Sequence, residues 1–139
     1  NLVLDNNGEI YISRTFYDES WNAFYGSSKI GEQILINNYG AGAVCGGSVI
    51  KYNNNIYRSF KGGIAPLNEN LDINESDQIG AYDQAQVYHI EIIEDTIWFA
   101  ITDYQSLNEV RVVDSNGNEI STHSVGIMPG DFSKWEANN

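Results

Sequence analysis

Apolar residues recur at alternate positions along most of this chain, in short runs punctuated by Asn, Asp and Gly. A period of two predicts strands rather than helices. Leu2-Val3-Leu4 and Ile10-Tyr11-Ile12 flank Asn7-Gly8, Val49-Ile50-Lys51-Tyr52 and Ile56-Tyr57 flank the triplet at 53–55, and Val110 to Val113 and Ile120 flank Asn116-Gly117. Each reads as a hairpin with a type I′ reversal, because Asn and Gly accept positive φ at both central positions with least steric cost. Further strands are expected at 33–36, 86–93 and 96–102, with Glu94-Asp95 as a tight turn between the last two. Trp98, inside that last apolar run, reads as a core side chain.

Helix has little support. No window of a dozen residues carries a 3.6 period bounded by caps, residues 40–47 hold too much glycine, and residues 18–25 offer one helical turn at most. The expected fold is a single all-β domain over 1–139: an antiparallel sandwich or barrel, of Greek-key or jelly-roll type, with about seven to ten strands. A group of propeller blades that needs partners to close is the variant. Residues 61–82 form the longest irregular stretch, and loops of that length usually carry function or move. Residues 136–139 read as a frayed end.

Composition narrows the function classes. Hydrophobic residues are 42% of the chain and aromatics 12%, too apolar for a disordered segment. Seven Lys and Arg face nineteen Asp and Glu, a formal net charge of -12. Such a surface repels phosphate and lacks the basic stripe that nucleic acid requires, so no nucleic-acid partner is expected. No apolar run approaches the roughly 20 residues that span a bilayer, so no membrane insertion is expected. Cys45 is the single cysteine, which rules out an internal disulfide. The absence of an initiator Met reads as a removed leader or a trimmed end. Abundant Asn and Tyr with few Lys fit an extracellular, cell-surface or virion-surface location.

Three chemistries have candidate residues. Sugars stack apolar C–H faces on exposed rings and take hydrogen bonds from amides, carboxylates and guanidinium groups. Trp21, Tyr25, Tyr39, Tyr57 and Trp135 have polar or turn-forming neighbours, and Tyr57-Arg58 sets a ring beside a fork of donors. Trp21, Tyr25, Tyr57 and Arg58 are therefore the expected ligand-binding residues. Asp72, Asn74 and Asp77, with Glu69 or Glu75 nearby, supply the oxygen ligands that Ca²⁺ prefers, although no glycine stands where a calcium loop turns tightly. No cofactor is required, and Ca²⁺ is the one ion suggested. Asp114-x-Asn116-x-Asn118 also scans as a metal loop, but a hairpin turn accounts for it. Cys45 with His89 or His123 would supply a nucleophile and base, without a signature around the cysteine, and the carboxylates are too many to single out a catalytic pair. Asn74-Glu75-Ser76 is a glycosylation sequon in a eukaryotic secretory setting.

Residues 46–58 resemble a strand–turn–strand of carbohydrate-active propellers and small chitin-binding modules, in which a Val or Ile precedes a Tyr-Asn turn and an aromatic follows. The paired tryptophans of the chitin modules are absent, with Phe60-Lys61 in that place, and the stretch identifies no family. The expectation is a non-catalytic surface domain that binds carbohydrate. The alternative is a structural subunit of a filament, coat or fibre assembled through strand edges, to which Leu2, Val3 and Leu4 contribute. A small glycan-active enzyme comes third. Partners are thus a glycan or other copies of the chain.

Overall fold

Eleven strands arranged in three antiparallel sheets make up the chain in the computed structural model, which describes residues 1–41, 47–106 and 108–135. The first sheet holds β1 (Leu2–Leu4), β2 (Ile10–Tyr17), β3 (Ala23–Ile30) and β4 (Ile34–Ala41). The second holds β5 (Val49–Tyr52), β6 (Asn55–Phe60) and β7 (Gly63–Pro66), and the third β8 (Val87–Ile93), β9 (Thr96–Thr102), β10 (Asn108–Val113) and β11 (Glu119–Ser124).

In every sheet the hydrogen-bonded neighbours are neighbours in sequence. The all-β reading holds. The barrel does not, since no sheet closes on itself, and no Greek-key crossover joins the described strands. The strand count is one above the expected range, since β3 begins at the end of the stretch that offered a helical turn and β7 lies in the stretch expected to be irregular. The irregular stretch 61–82 is also more ordered than its polarity implied. It contains β7 and a single 3-10 turn, Glu75–Asp77, and bridges Ile64↔Ile79 and Leu67↔Ile73 fasten it.

Four loops share one construction. The side chains of Asp5, Asp18, Asn68 and Asp114 each accept hydrogen bonds from the backbone N–H groups two and four residues on. The residue three positions on has positive φ: Gly8 at 82°, Trp21 at 63°, Leu71 at 66° and Gly117 at 81°. The first and third hairpins therefore do not turn in the type I′ manner, because their Asn7 and Asn116 lack positive φ. A side-chain acceptor has replaced that requirement. The middle hairpin does have it, with Asn53 at 47° and Asn54 at 63°.

Alternation along β5 and β6 sets the core. Ile50 and Tyr52 point toward the third sheet and join Ile64, Ile90, Ile97, Phe99 and Val113 in the larger apolar cluster. Val49 and Ile56 point the other way and pack with Tyr11, Leu71, Val3 and Leu35. The second sheet thus contributes to the core from both faces, and β5 touches β1 and β2 as well as β8. No helix is long and apolar enough to cross a membrane among the described residues.

Trp21 and Leu71 occupy the left-handed position that glycine fills in the sister loops, at a cost of about 1 kcal/mol each. Leu71 is fully buried, whereas Trp21 is 81% exposed. Trp21→Gly should therefore raise unfolding stability by about 1 kcal/mol. Leu71→Gly should lower it by about 2–4 kcal/mol, since the lost side chain outweighs the relieved strain. Denaturant titration checks both; destabilisation by Trp21→Gly would mean that the ring is a packing element after all.

Candidate functional site

Arg58 lies in the middle of β6, and period two sets it on the same face as Ile56 and Phe60. That face turns toward the first sheet, so the guanidinium is carried inside and is only 1% exposed. Its Nε and Nη1 have no hydrogen-bond partner. Two rings flank it, with the Tyr25 centroid at 5.9 Å and the Tyr39 centroid at 5.7 Å. Burial pushes the Arg58 pKa down, and the neighbours that oppose this are Tyr39 and Tyr25 rather than a carboxylate.

The same two rings, whose centroids are 5.7 Å apart, line a cleft of about 400 Å³ between the first and second sheets. Asn37, Phe60, Lys61 and Asp72 complete much of its wall. The Tyr39 hydroxyl donates to the Leu71 carbonyl at 2.7 Å, and burial raises its pKa. Asp72 accepts from the amides of Asn37 at 3.1 Å and Asn68 at 3.0 Å, and Lys61 pairs with Glu75 at 2.7 Å. The cleft therefore presents rings, amides and partnered charges, and the unsatisfied guanidinium of Arg58 lies off its wall, behind the two tyrosine rings. Register carries the aromatic surface further. Thr15 opposes Tyr25 and Tyr17 opposes Ala23, so Tyr17 shares the face of Tyr25 and leads to Trp21 at the β2–β3 tip, 6.0 Å away. Tyr17 and Trp21 are both exposed.

Of the four expected ligand-binding residues, the structure brings Tyr25 and Arg58 together and places Trp21 beyond them. Tyr57 departs from the group. Adjacent strand residues face opposite ways, so its ring meets Tyr52 at 5.9 Å and lines a separate cavity of about 560 Å³. Trp135 is 83% exposed in the C-terminal segment. Tyr39 proves as close to Arg58 as Tyr25. The burial of Arg58 had a signal in the sequence, since Ile56-x-Arg58-x-Phe60 is an apolar stripe with one charge in it.

The expected calcium ligands divide between two places. Asp72 faces the cleft, whereas Asn74 and Asp77 border the larger cavity, where the Asn74 amide donates to Asp77 at 2.7 Å. The sequence reading missed another ligand group. His89, Glu91 and Asp131 offer one imidazole and two carboxylates whose ligand atoms lie within 4.8 Å of one another, a donor set suited to a divalent transition metal. His89-x-Glu91 shares a strand face by alternation, but only the fold brings Asp131 to it.

Phe132 beside Asp131 packs on His89 and Trp98 at 5.7 and 6.0 Å, so the C-terminal segment covers the outer face of the third sheet. Trp98 thus lies half-buried under that segment, stacked on His123, instead of in either core cluster. Cys45 lies outside the described residues, as do 136–139. β1 pairs with β2 in its own sheet; Val3 packs inward, while Leu2 and Leu4 remain exposed. Asp114 spends its carboxylate on Asn116 and Asn118, as a hairpin turn requires.

No protein family matches the chain, and no curated protein is detectably similar to it.

A buried charge loses several kcal/mol of hydration, while each ring returns about 0.5–2 kcal/mol. Desolvation is the larger effect. Arg58→Met, which keeps length and apolar contact, should therefore stabilise the fold by about 1–3 kcal/mol in thermal or denaturant unfolding. A loss of stability would show that the guanidinium is compensated in place.

Proposed function

We propose that this is a non-catalytic extracellular or surface domain that binds carbohydrate in the cleft between its first two sheets. One observation carries the reading: an aromatic surface runs from Trp21 and Tyr17 past Tyr25 and Tyr39 to a cleft with amides on its wall. Rings of this kind accept the C–H faces of pyranosides, and Asn37 and Lys61 are placed to take hydroxyls. Trp21 adds an independent hint. A ring held at positive φ and left 81% exposed is strained without burial in return, and such strain concentrates at functional positions. The finer architecture fits a sandwich extended to three layers, with β5 touching β1 and β2 on one side and β8 on the other.

A structural reading rests on a different surface. Leu2–Ile12–Ser28–Ile36 and Leu4–Ile10–Ile30–Ile34 form two register rows across all four strands of the first sheet. Leu2, Leu4, Ile30, Ile34 and Ile36 are exposed there, and neither row contains a carboxylate. Together they present on the order of 500 Å². Two copies face to face would cover about 1,000 Å², the lower bound of a specific interface. In a chain of net charge -12, a second copy can approach this acid-free face with least repulsion. Assembly would then use a sheet face, with Leu2 and Leu4 contributing side chains, in place of a strand edge.

On a glycan array, wild-type protein should bind at least one sugar class, and Tyr25→Ala should weaken that binding by about tenfold or more. No binding anywhere, or unaltered binding in the variant, would remove the carbohydrate reading. Light scattering tests assembly: wild type should dimerise at high concentration, and Ile34→Glu with Ile36→Glu should remain monomeric. A monomeric wild type would end that alternative.

A further inference from the structure

The chain has seven Lys and Arg, and six of them have polar partners. Lys29, Lys61, Arg111 and Lys134 pair with glutamates, Arg14 donates to Ser28, and Lys51 to Asn6. Arg58 is the exception, although it is the most buried of them. Nineteen acids are available in the sequence, yet among the described residues none pairs with the one cation for which a counter-charge would matter most. A buried polar group with no partner calls for an explanation, and an absent ligand is one of the few physical answers.

We infer that Arg58 receives the carboxylate of an acidic sugar bound in the cleft, so that the ligand supplies the counter-ion that the chain withholds. The inference rests on the carbohydrate reading and names its ligand class. Guanidinium N–H groups form charge-assisted hydrogen bonds with carboxylates that are shorter and stronger than neutral ones. In a site screened from water, such a bond counts for more than it would at the surface. Of the carboxylates lining the cleft, Glu75 is charge-paired with Lys61, whereas Asp72 is held by two amides and keeps its charge, so the ligand's carboxylate must lie toward Arg58 and away from Asp72. The route passes the ring pair. Tyr39 is tied to the Leu71 carbonyl, whereas among the described residues the Tyr25 hydroxyl makes no such bond. Tyr25 is thus the less anchored of the two rings between Arg58 and the cleft, and the one the ligand would displace.

Two kinds of acidic sugar share this chemistry, a hexuronate and a sialate, and matched neutral controls separate them. Calorimetric titration of the full chain would compare trigalacturonate with its methyl ester, and sialyllactose with lactose. In the wild type, one acidic member should bind at least about tenfold tighter than its neutral control. Arg58→Met should abolish the preference while neutral binding persists, and Arg58→Lys should retain part of it. Circular dichroism confirms that each variant is folded. Equal binding of acidic and neutral partners by wild type overturns the inference by itself, whether or not the variants fold. A preference that survives in folded Arg58→Met also overturns it. In both cases the carbohydrate reading stands, because sugar is still bound. Failure to bind these four probes, with other sugars bound on the array, rejects the acidic class alone. Failure with every sugar removes both.

Discussion

The second sheet has no solvent face, and most of the molecule follows from that. Three strands of four to six residues must present apolar side chains in both directions. Val49 and Ile50 show the demand within two residues, one packed toward the first sheet and the other toward the third. Each flanking sheet then needs only one apolar face, so that Arg14 of β2 can lie exposed on the other. A polar side chain on that outer face meets water at modest cost. On β6 it meets protein on either side, and a charge there must find a partner or a reason.

That constraint joins the fold to the site. Arg58 is interior because β6 is, and the rings that receive it come from β3 and β4. The register shift between Tyr25 and Gly26 sets Tyr39 out of step, so that both rings reach one point. The loop after β7 closes the arrangement, with Leu71 packed into the smaller cluster and its carbonyl held by Tyr39 and Asn37. The cleft is therefore built from the same contacts that hold the first two sheets together, and a ligand in it would contact rigid strands on two sides.

Much of the fold was legible because hairpins are local. Alternation and the Asn-Gly pairs located the first and third turns correctly, since both devices act over a few residues. Their geometry was misjudged because Asp5 and Asp114 satisfy the loop N–H groups through a side chain, and a dipeptide rule does not see that residue. β7 escaped notice since Gly63 and Pro66 disguise a four-residue strand, and β3 since Gly26, Ser27 and Ser28 are not strand-like in composition. The site was legible only in part. Tyr25 and Arg58 were chosen for their chemistry, but their meeting depends on how two sheets stack. Tyr57 was grouped with Arg58 through adjacency in sequence, which in a strand separates side chains. The approach of Asp131 to His89 depends on a fold-back across forty residues, and no local pattern announces it.

The four matching loops respond differently to acid. At Asp18 and Asp114 the side-chain amides of Asn22 and Asn118, with backbone N–H groups, hold the carboxyl below its ordinary range. At Asp5 desolvation pushes upward, but the N–H groups of Glu9 and Asn7 prevail. Carboxyls lowered by folding support the native state at neutral pH and lose that contribution as falling pH passes their folded values. Asn68 does the same work with an amide, which has no proton to gain. Acidification therefore loosens the three aspartate-held hairpin tips, whereas the side chain that receives the backbone N–H groups of the Leu71 loop is the same at every pH.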